Sequence, residues 1–357
     1  MTKAFQPEVL KHFFEDSFKK LDVPIEIYYP VIDGLIQTSL RGVDSHGVRL
    51  FPHYIKEVIS ARINKNPNFT FTKKAASAMI LDADNTFGIS ASVLAMKKAI
   101  EIAKDTGVGA VSVINSSHFG AAGIYSLMAA KNDMIGMCCT HTESLVVPYG
   151  GKKPFLGTNA ITFAFPCEEE EPFCLDMATS TVSLNKIRKY KEEEKEFEDG
   201  WVVNKEGESC IDPKEEVYLS HFGGYKGYGL SMIIEILCSI LTGMNFGPQI
   251  VPMFSDFEKK RHLGHFFLVI DISKFQDINI FKKRLKNLID SIRKEPVKDG
   301  FNKIMVANDP EKEKFKFRSK EGIPISEIDL KNFKEIADLL GLDKKILENY
   351  KNVDFDS

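Results

Sequence analysis

Gly223-Gly224-Tyr225-Lys226-Gly227-Tyr228-Gly229-Leu230 is the stretch on which the fold class turns. Glycines that bare backbone amides at the positive end of a helix, with a lysine beside them, are a means of holding pyrophosphate. The apolar run from Ser231 to Leu241 supplies that helix. A doubly wound dinucleotide fold, however, places its glycines in the spacing G-x-G-x-x-G directly after a first strand. Here they fall at 223, 224, 227 and 229, well past the middle of the chain. A doubly wound sheet is therefore not supported, and the same residues also suit a plain tight turn.

Outward from that stretch the chain reads as mixed α/β. Met79 to Asp82, Val108 to Ile114, Met134 to Thr140, Ala160 to Phe165 and Phe173 to Leu175 are short apolar runs with the marks of strands. Ile89 to Thr106 and Ala121 to Asn132 carry helical spacing. At the N-terminal end Val9, Phe13, Phe14 and Phe18, then Ile32, Leu35 and Ile36, then Phe51, Tyr54, Ile55 and Val58 recur at helical intervals. After Pro324 so do Ile328, Leu330, Phe333, Ile336, Leu339 and Leu340. Neither end has enough apolar surface to fold alone. The expectation is a helical domain of residues 1–72 and 325–357 beside a mixed-sheet domain of residues 73–324. The charged run Arg188 to Asp199 reads as a solvated helix or loop within the latter.

Composition narrows the function. A chain of 357 residues that is 43% hydrophobic and 27% charged has an ordinary globular composition, which argues against disorder. A net charge of −3 leaves no long-range positive field to gather phosphates, so no nucleic acid is expected as partner. The longest apolar segment, Leu230 to Met244, carries Glu235 and falls short of the roughly 20 residues that cross a bilayer. A buried helix is expected there, and no membrane. The first residues run straight into a charged amphipathic segment without the apolar core of an export signal. Six cysteines show no CxxC pair and no metal-ligand rhythm, so free thiols, no metal and a cytoplasmic location are expected.

Polar clusters flanked by glycine are where chemistry is sought, because glycine lets a backbone approach a ligand closely. In Arg41-Gly42-Val43-Asp44-Ser45-His46-Gly47-Val48, His46 suits a general acid oriented by Asp44 or Ser45; an N-cap with an incidental histidine fits equally. In Asn115-Ser116-Ser117-His118-Phe119-Gly120-Ala121-Ala122-Gly123, a second histidine stands at a strand-to-helix turn whose small residues leave room for a flat ring. Val147-Pro148-Tyr149-Gly150-Gly151 and Gly157-Thr158-Asn159-Ala160 read as turns, with amides that also suit a carboxamide or phosphate. Leu175-Asp176-Met177-Ala178-Thr179-Ser180 is a strand end fit to hold a ribose or nicotinamide.

Taken together and in order, RGVDSHGV (41–48), DADNTFG (82–88), SSHFGAAG (116–123), PYGG (148–151), GTN (157–159), LDMATS (175–180), GGYKGYGL (223–230), LGHFF (263–267) and GIPIS (322–326) resemble the second type of malate/L-lactate dehydrogenase family. That family also holds ureidoglycolate, sulfolactate and cyclic-imine carboxylate oxidoreductases. The resemblance spans nearly the whole chain. It implies a homodimer, a non-Rossmann NAD(P)-binding domain whose mainly antiparallel sheet is flanked by helices, and a helical domain made from both chain ends. It implies His46 and His118 as the catalytic pair, with Ser45, Arg49, Tyr54 and Thr142 facing the substrate. For NAD or NADP it implies Thr158, Asn159, Asp176, Met177, Ala178, Lys226 and Gly227, together with Asn308, Asp309 and Glu311. At Asn308 the family usually has a Pro-Gly-Glu turn; asparagine tolerates the left-handed backbone such a turn needs.

Three departures bear on the substrate. Relatives carry an arginine two residues before the proline of the first helix, where this chain has Leu50. Arg49 stands one place earlier, about 100° away on a helix. Glu143 stands where a neutral residue is common, so either it points away or the substrate carries a cation or extra hydroxyls. Ala160 and Asn185 replace a proline and a glycine, read as loop variation. The reaction expected is hydride transfer between nicotinamide C4 and C2 of a small 2-oxo or 2-hydroxy acid, with an imidazole moving the proton. Reduction of a cyclic imine carboxylate, oxidation of ureidoglycolate and a non-catalytic cofactor-binding module are the alternatives.

Overall fold

The computed structural model describes residues 2–355. Strand β1 (Thr2–Phe5) leads into helices α1 (Pro7–Lys20) and α2 (Ile25–Leu40), and then through two 3-10 turns into α3 (Phe51–Ile59). A proline starts α1, where its missing N–H costs nothing. Then come β2 (Thr70–Lys73), β3 (Ala78–Asp82), α4 (Gly88–Thr106), β4 (Val108–Ser116), α5 (Gly123–Ala130), β5 (Met134–Thr140), β6 (Ala160–Phe165) and β7 (Phe173–Met177). Helix α6 (Leu184–Glu192) and the two-residue strands β8 (Val202–Val203) and β9 (Tyr218–Leu219) follow, with α7 (Tyr225–Glu235) opening on Gly223 and Gly224. Both glycines have positive φ, 58° and 63°, which explains the doublet. The last part holds β10 (Leu263–Asp271), α8 (Ile278–Arg293), α9 (Asp309–Glu321), β11 (Ile323–Ile325), α10 (Glu327–Leu340) and β12 (Lys351–Val353).

Seven strands form the central sheet in the order β2-β3-β4-β10-β5-β6-β7. Only β3 and β4 run parallel, Ala78 opposite Ala110 through Asp82 opposite Ile114, with α4 as the crossover. The other five pairings are antiparallel. Strict alternation gives the central strands two dry faces. Val111, Val113, Cys138, Phe267 and Val269 turn to α4 and α5, while Met137, Cys139, Ile161, Phe266 and Leu268 turn to α7 and the π-helical turn Ile236–Ile240 that prolongs it. The sheet is thus covered by helices on both sides.

Residues from the two chain ends share one core. Phe5, Phe13, Phe14, Phe18, Phe51 and Tyr54 pack with Ile323, Phe333 and Ile336, and Phe14 stacks on Phe51 at 3.8 Å between ring centroids. A three-stranded sheet, β11-β1-β12, ties the ends as well. The sequence reading gives only helices there, because four residues are too few to show a period of two. It also gives no strand at Leu263–Asp271, which forms the middle of the sheet.

Two further differences concern exposure. The helix at Leu230 to Met244 is buried on one face only: Ser231, Ile234 and Cys238 are covered, whereas Ile233, Ile236, Ile240 and Leu241 are each about half exposed. The charged run Arg188 to Asp199 is partly α6 and not wholly solvated. Ile187 and Phe197 pack on Trp201 in a small separate core.

Candidate active site

Between the helical layer and the β7 edge of the sheet lies a cleft of about 1490 Å³. Ordinary small-molecule sites occupy roughly 300–1,000 Å³, so this one has room for a dinucleotide and a small substrate together. Ser45, His46 and Arg49 reach it from the connection between α2 and α3, and His118 from the turn after β4. Thr142 and Thr158 line it from the loops around β6, Asp176 to Ala178 from β7, and Asn308 with Glu311 from the start of α9.

The two histidines, 72 positions apart in sequence, stand side by side with ring centroids 5.7 Å apart and planes 24° from parallel. Their turns are built to put them there. A Cβ on Gly88 would lie 2.3 Å from the Ser117 carbonyl oxygen and 2.6 Å from that of His118, so glycine alone lets the start of α4 support the His118 turn. The Gly88 amide donates to the Ser117 hydroxyl at 3.0 Å. On the other side Asp44 is taken up by Arg318 through two hydrogen bonds of 2.6 and 3.0 Å. Ser45, not Asp44, therefore orients His46, with Oγ 2.8 Å from Nδ1.

Tyr54 does not line the cleft. It is fully buried behind His118, its hydroxyl 2.8 Å from His118 Nδ1. A buried phenol must place its proton on an acceptor, and Nδ1 is its partner here. That bond fixes the neutral tautomer with its proton on Nε2, the nitrogen left for the cleft. Burial holds His46 below the usual imidazole value. Burial also holds His118 well below it, with His46 and Arg261 adding to the shift. Both rings are therefore mainly neutral at pH 7.

Glu143 lines the cleft, and its charge is answered from within the protein. Its carboxylate pairs with the fully buried guanidinium of Arg261 and accepts the Met253 amide at 3.2 Å. Arg261 further donates to the Val251 carbonyl at 3.0 Å, and Arg62 to that of Met253 at 2.8 Å. The loop from Val251 to Phe257 is thus fastened by two buried arginines. The sequence reading missed Arg261, although it stands two residues before LGHFF. It also missed His53 and Lys56, which line the cleft four and seven positions after Arg49, a spacing legible on a helix. His141 was a further omission. Its Nε2 accepts the Gly264 amide at 3.1 Å, which leaves Nδ1 to donate to Glu235 at 3.4 Å.

The residues present fit a nicotinamide dinucleotide. Gly120, Ala121, Ala122 and Gly123 give the cleft a flat wall, and β7 lines it as an edge strand. The hydroxyls of Thr158 and Ser183 and the carboxylates of Asp176 and Glu311 line it too, the donor and acceptor set that ribose hydroxyls and a carboxamide require. Asp176 accepts the Gly123 amide at 2.7 Å. It is open to the cleft, yet so enclosed by protein that its carboxyl is pushed up to about 6; the Gly123 bond opposes this and Glu311 adds to it. Asn308 has φ 79°, the left-handed geometry expected of it, and donates to the Pro172 carbonyl at 2.9 Å.

Other expected cofactor residues do not line the cleft. Asn159 is buried beside it, its side-chain amide donating to Glu235 at 2.8 Å and its oxygen accepting the Thr142 amide at 3.4 Å. Asp309 is engaged by Arg293 at 2.6 Å and fixes the start of α9. Lys226 and Gly227 lie on α7, and Gly227 is pressed against the Phe222 carbonyl, 2.0 Å from where a Cβ would stand.

The sequence profile of malate/L-lactate dehydrogenase matches residues 5–334. The chain belongs to the malate/L-lactate dehydrogenase family. Among curated members, malate dehydrogenase of Pyrococcus horikoshii is 37% identical over 335 residues, covering 91% of this chain and 92% of that one. Among solved structures of the family, sulfolactate dehydrogenase of Methanocaldococcus jannaschii superposes with a TM-score of 0.91 at 33% identity, over 98% of this chain and 99% of that one. Malate dehydrogenase of Entamoeba histolytica gives 0.89 at 33% identity, over 96% and 99%.

Proposed function

We propose that this member of the family is an NAD(P)-dependent oxidoreductase interconverting a small 2-hydroxy acid and its 2-oxo acid. The observation that carries the reading is the pair of neutral imidazoles, 5.7 Å apart, on a cleft large enough for both reactants. The nicotinamide ring, when bound, exchanges a hydride with C2 of the substrate. Everything else falls to side chains of this chain. The imidazolium of the pair delivers its proton to the oxygen on C2 in reduction, and the other ring, neutral, donates a hydrogen bond to the same oxygen. In oxidation a neutral ring takes the proton back. Two charged rings at this distance repel, so the pair carries one proton charge at a time.

Ser45 and Tyr54 serve as orienting groups, and Arg49 with Thr142 as the candidates for the substrate carboxylate. Thr158, Asp176, Met177, Ala178, Asn308 and Glu311 are the cofactor contacts of this proposal; Asn159 and Asp309 support them from behind. A part for Lys226 and Gly227 requires a cofactor that reaches beyond the cleft described. The proposed division is a helical domain of residues 1–72 and 325–357 capping a non-Rossmann NAD(P)-binding domain of residues 73–324. The half-exposed apolar face of Ile233, Ile236, Ile240 and Leu241 supports a homodimer. Six buried, unbonded cysteines support a reducing, cytoplasmic setting, and no helix among the described residues is long and apolar enough to cross a membrane.

The test is a panel of 2-oxo acids and a cyclic imine carboxylate, assayed with NADH and with NADPH. Turnover of a 2-oxo acid is expected, with kcat lowered about 10²-fold or more by His46→Ala or His118→Ala while cofactor binding persists. Wild-type rates in both variants, or turnover of the imine alone, would overturn the proposal.

A further inference from the structure

Taking the oxidoreductase reading as given, we propose that Glu235 is a positioning residue of the site, one that acts through Asn159 to set the Thr142 and Thr158 walls of the cleft. Glu235 ends α7 where the helix widens into the π-turn Ile236–Ile240, a distortion that recurs where a helix serves a site. It is buried and interrupts the apolar run from Leu230 to Met244. One oxygen, Oε1, accepts the Gly247 amide at 3.0 Å and faces His141 Nδ1 at 3.4 Å. The other, Oε2, accepts the Asn159 side-chain amide at 2.8 Å. His141 takes the Gly264 amide on Nε2 and is therefore neutral, so none of these three donors carries a charge. Burial pushes the Glu235 carboxyl upward, yet the bonds from His141, Gly247 and Asn159 outweigh it and hold the group below the usual glutamate value. It is an anion at pH 7.

A buried anion held by neutral donors alone is costly, and its presence in an apolar helix is explained by what it holds. Asn159 is wholly buried with φ 33°, a left-handed backbone that persists only where its surroundings over-determine it. Its side-chain nitrogen also donates to the Ser231 carbonyl at 3.1 Å, and its oxygen accepts the Thr142 amide at 3.4 Å. Thr142 Oγ1 in turn accepts the Thr158 amide at 3.3 Å. The Thr158 carbonyl accepts the amide and the hydroxyl of Thr179 at 2.8 and 3.1 Å. Thr142, Thr158 and Ala178 line the cleft, whereas Asn159 and Glu235 do not. Three loops of the site thus hang from one buried pair of side chains outside it.

The polarity of the pair requires a carboxylate at 235. Both of its oxygens accept, and the three groups that face it all donate. A carboxamide of the same shape has one acceptor and one donor. Turned one way it sets its NH2 against the His141 and Gly247 donors; turned the other way it sets it against Asn159. Asn159 answers only by rotating its own amide, which brings its NH2 to the Thr142 amide and breaks that bond. Loss of the charge therefore reaches the cleft through Asn159.

The experiment uses Glu235→Gln, Asn159→Gly and the double variant Glu235→Gln with Asn159→Asp. In the double variant the introduced amide donates to the introduced carboxylate, the Thr142 amide keeps its acceptor, and only the bond to the Ser231 carbonyl is lost. Asn159→Gly suits a positive φ and cuts the link to the loops without touching Glu235, so it decides the matter if Glu235→Gln does not fold. The first readout is amide hydrogen exchange in the protein without cofactor. Peptides carrying Thr142 and Thr158 are expected to exchange about tenfold faster or more in both single variants, with the His118 turn unchanged, and to recover most of the difference in the double variant. The second readout is steady-state kinetics with pyruvate and with oxaloacetate. KM for the 2-oxo acid is expected to rise about tenfold or more in both single variants and to fall back in the double variant. The pH at which kcat/KM turns stays where it is, because the histidine pair is not moved. A packing role would lower Tm and leave KM alone. Wild-type KM or wild-type exchange in Asn159→Gly, or a double variant no better than Glu235→Gln, would overturn the proposal. Absence of turnover on every 2-oxo acid would defeat the oxidoreductase reading instead, and hydrogen exchange would still decide the part of Glu235.

Discussion

Replacing Tyr54 with phenylalanine removes one atom from a packed core and with it the hydroxyl that holds His118 Nδ1, at 2.8 Å. Tyr54 is fully buried, so the ring stays in place and no cavity large enough to collapse is made. A buried neutral hydrogen bond contributes about 0.5–1.5 kcal/mol net. For a chain of this length that lowers Tm by about 1–2 °C, a change visible but small in a thermal melt. The catalytic effect should be larger. A bias of about 1.4 kcal/mol is a tenfold preference for the tautomer with its proton on Nε2; without it the two tautomers approach equality and about half of the molecules carry the wrong one. Freeing the ring adds more, because displacement of a catalytic group by about 1 Å can cost 10²-fold. The expectation is a kcat reduced about 20- to 100-fold, with the KM for the cofactor unchanged and Tm lowered by no more than about 2 °C. Steady-state kinetics beside a thermal melt decide it. If kcat stays within twofold of wild type while Tm falls as stated, Tyr54 is a packing residue and the orientation argument for His118 is wrong.

The pH profile follows from the direction of the histidine shifts. Both rings are held below the usual imidazole value, so the free enzyme gains its proton only below about pH 6.5; kcat/KM for reduction should rise as pH falls through that region, and for oxidation should be level at neutral pH and fall in acid. An apparent pKa above 6.5 in the free enzyme contradicts the burial argument. Asp176, raised to about 6, loses its proton as pH passes that value, so cofactor affinity measured by fluorescence should change between pH 5 and 7 and become flat in Asp176→Asn. Glu143→Gln leaves the buried Arg261 uncompensated and should cost about 3 kcal/mol in urea unfolding. Much of that should return when Arg261→Met is added, and equal destabilisation by the single and double variants would count against a charge effect.

What was legible in the sequence was local. His46 and His118 could be singled out because each is a titratable ring set among glycines and small residues. Asn308 could be read as left-handed because its side chain is one of the few that tolerate φ 79°. The convergence of the two histidines came from a resemblance of motifs, since no spacing reveals it. Tyr54 looked like another apolar position of an amphipathic helix, and only packing turns its hydroxyl toward a ring 64 positions away. The pairing of Glu143 with Arg261 spans 118 positions, so sequence alone offered two ways to settle that charge and neither was an internal arginine. Strand β10 reads as an apolar run like others, and nothing local says that it belongs at the centre of the sheet.

That late central strand has a consequence for synthesis. Strands β2 to β4 and β5 to β7 each form a contiguous group, but β4 and β5 meet only through β10, whose residues emerge some ninety positions after the end of β7. Until then a nascent chain carries two three-stranded pieces with no strand hydrogen-bonded between them, each with a bare apolar edge able to recruit a foreign strand. His118 hangs from the turn after β4 and Asp176 from β7; the Gly123 amide reaches Asp176 directly at 2.7 Å, but the sheet that backs both walls of the cleft is completed by Leu263–Asp271. Release of a chain truncated before this point should yield aggregates and no partially active enzyme.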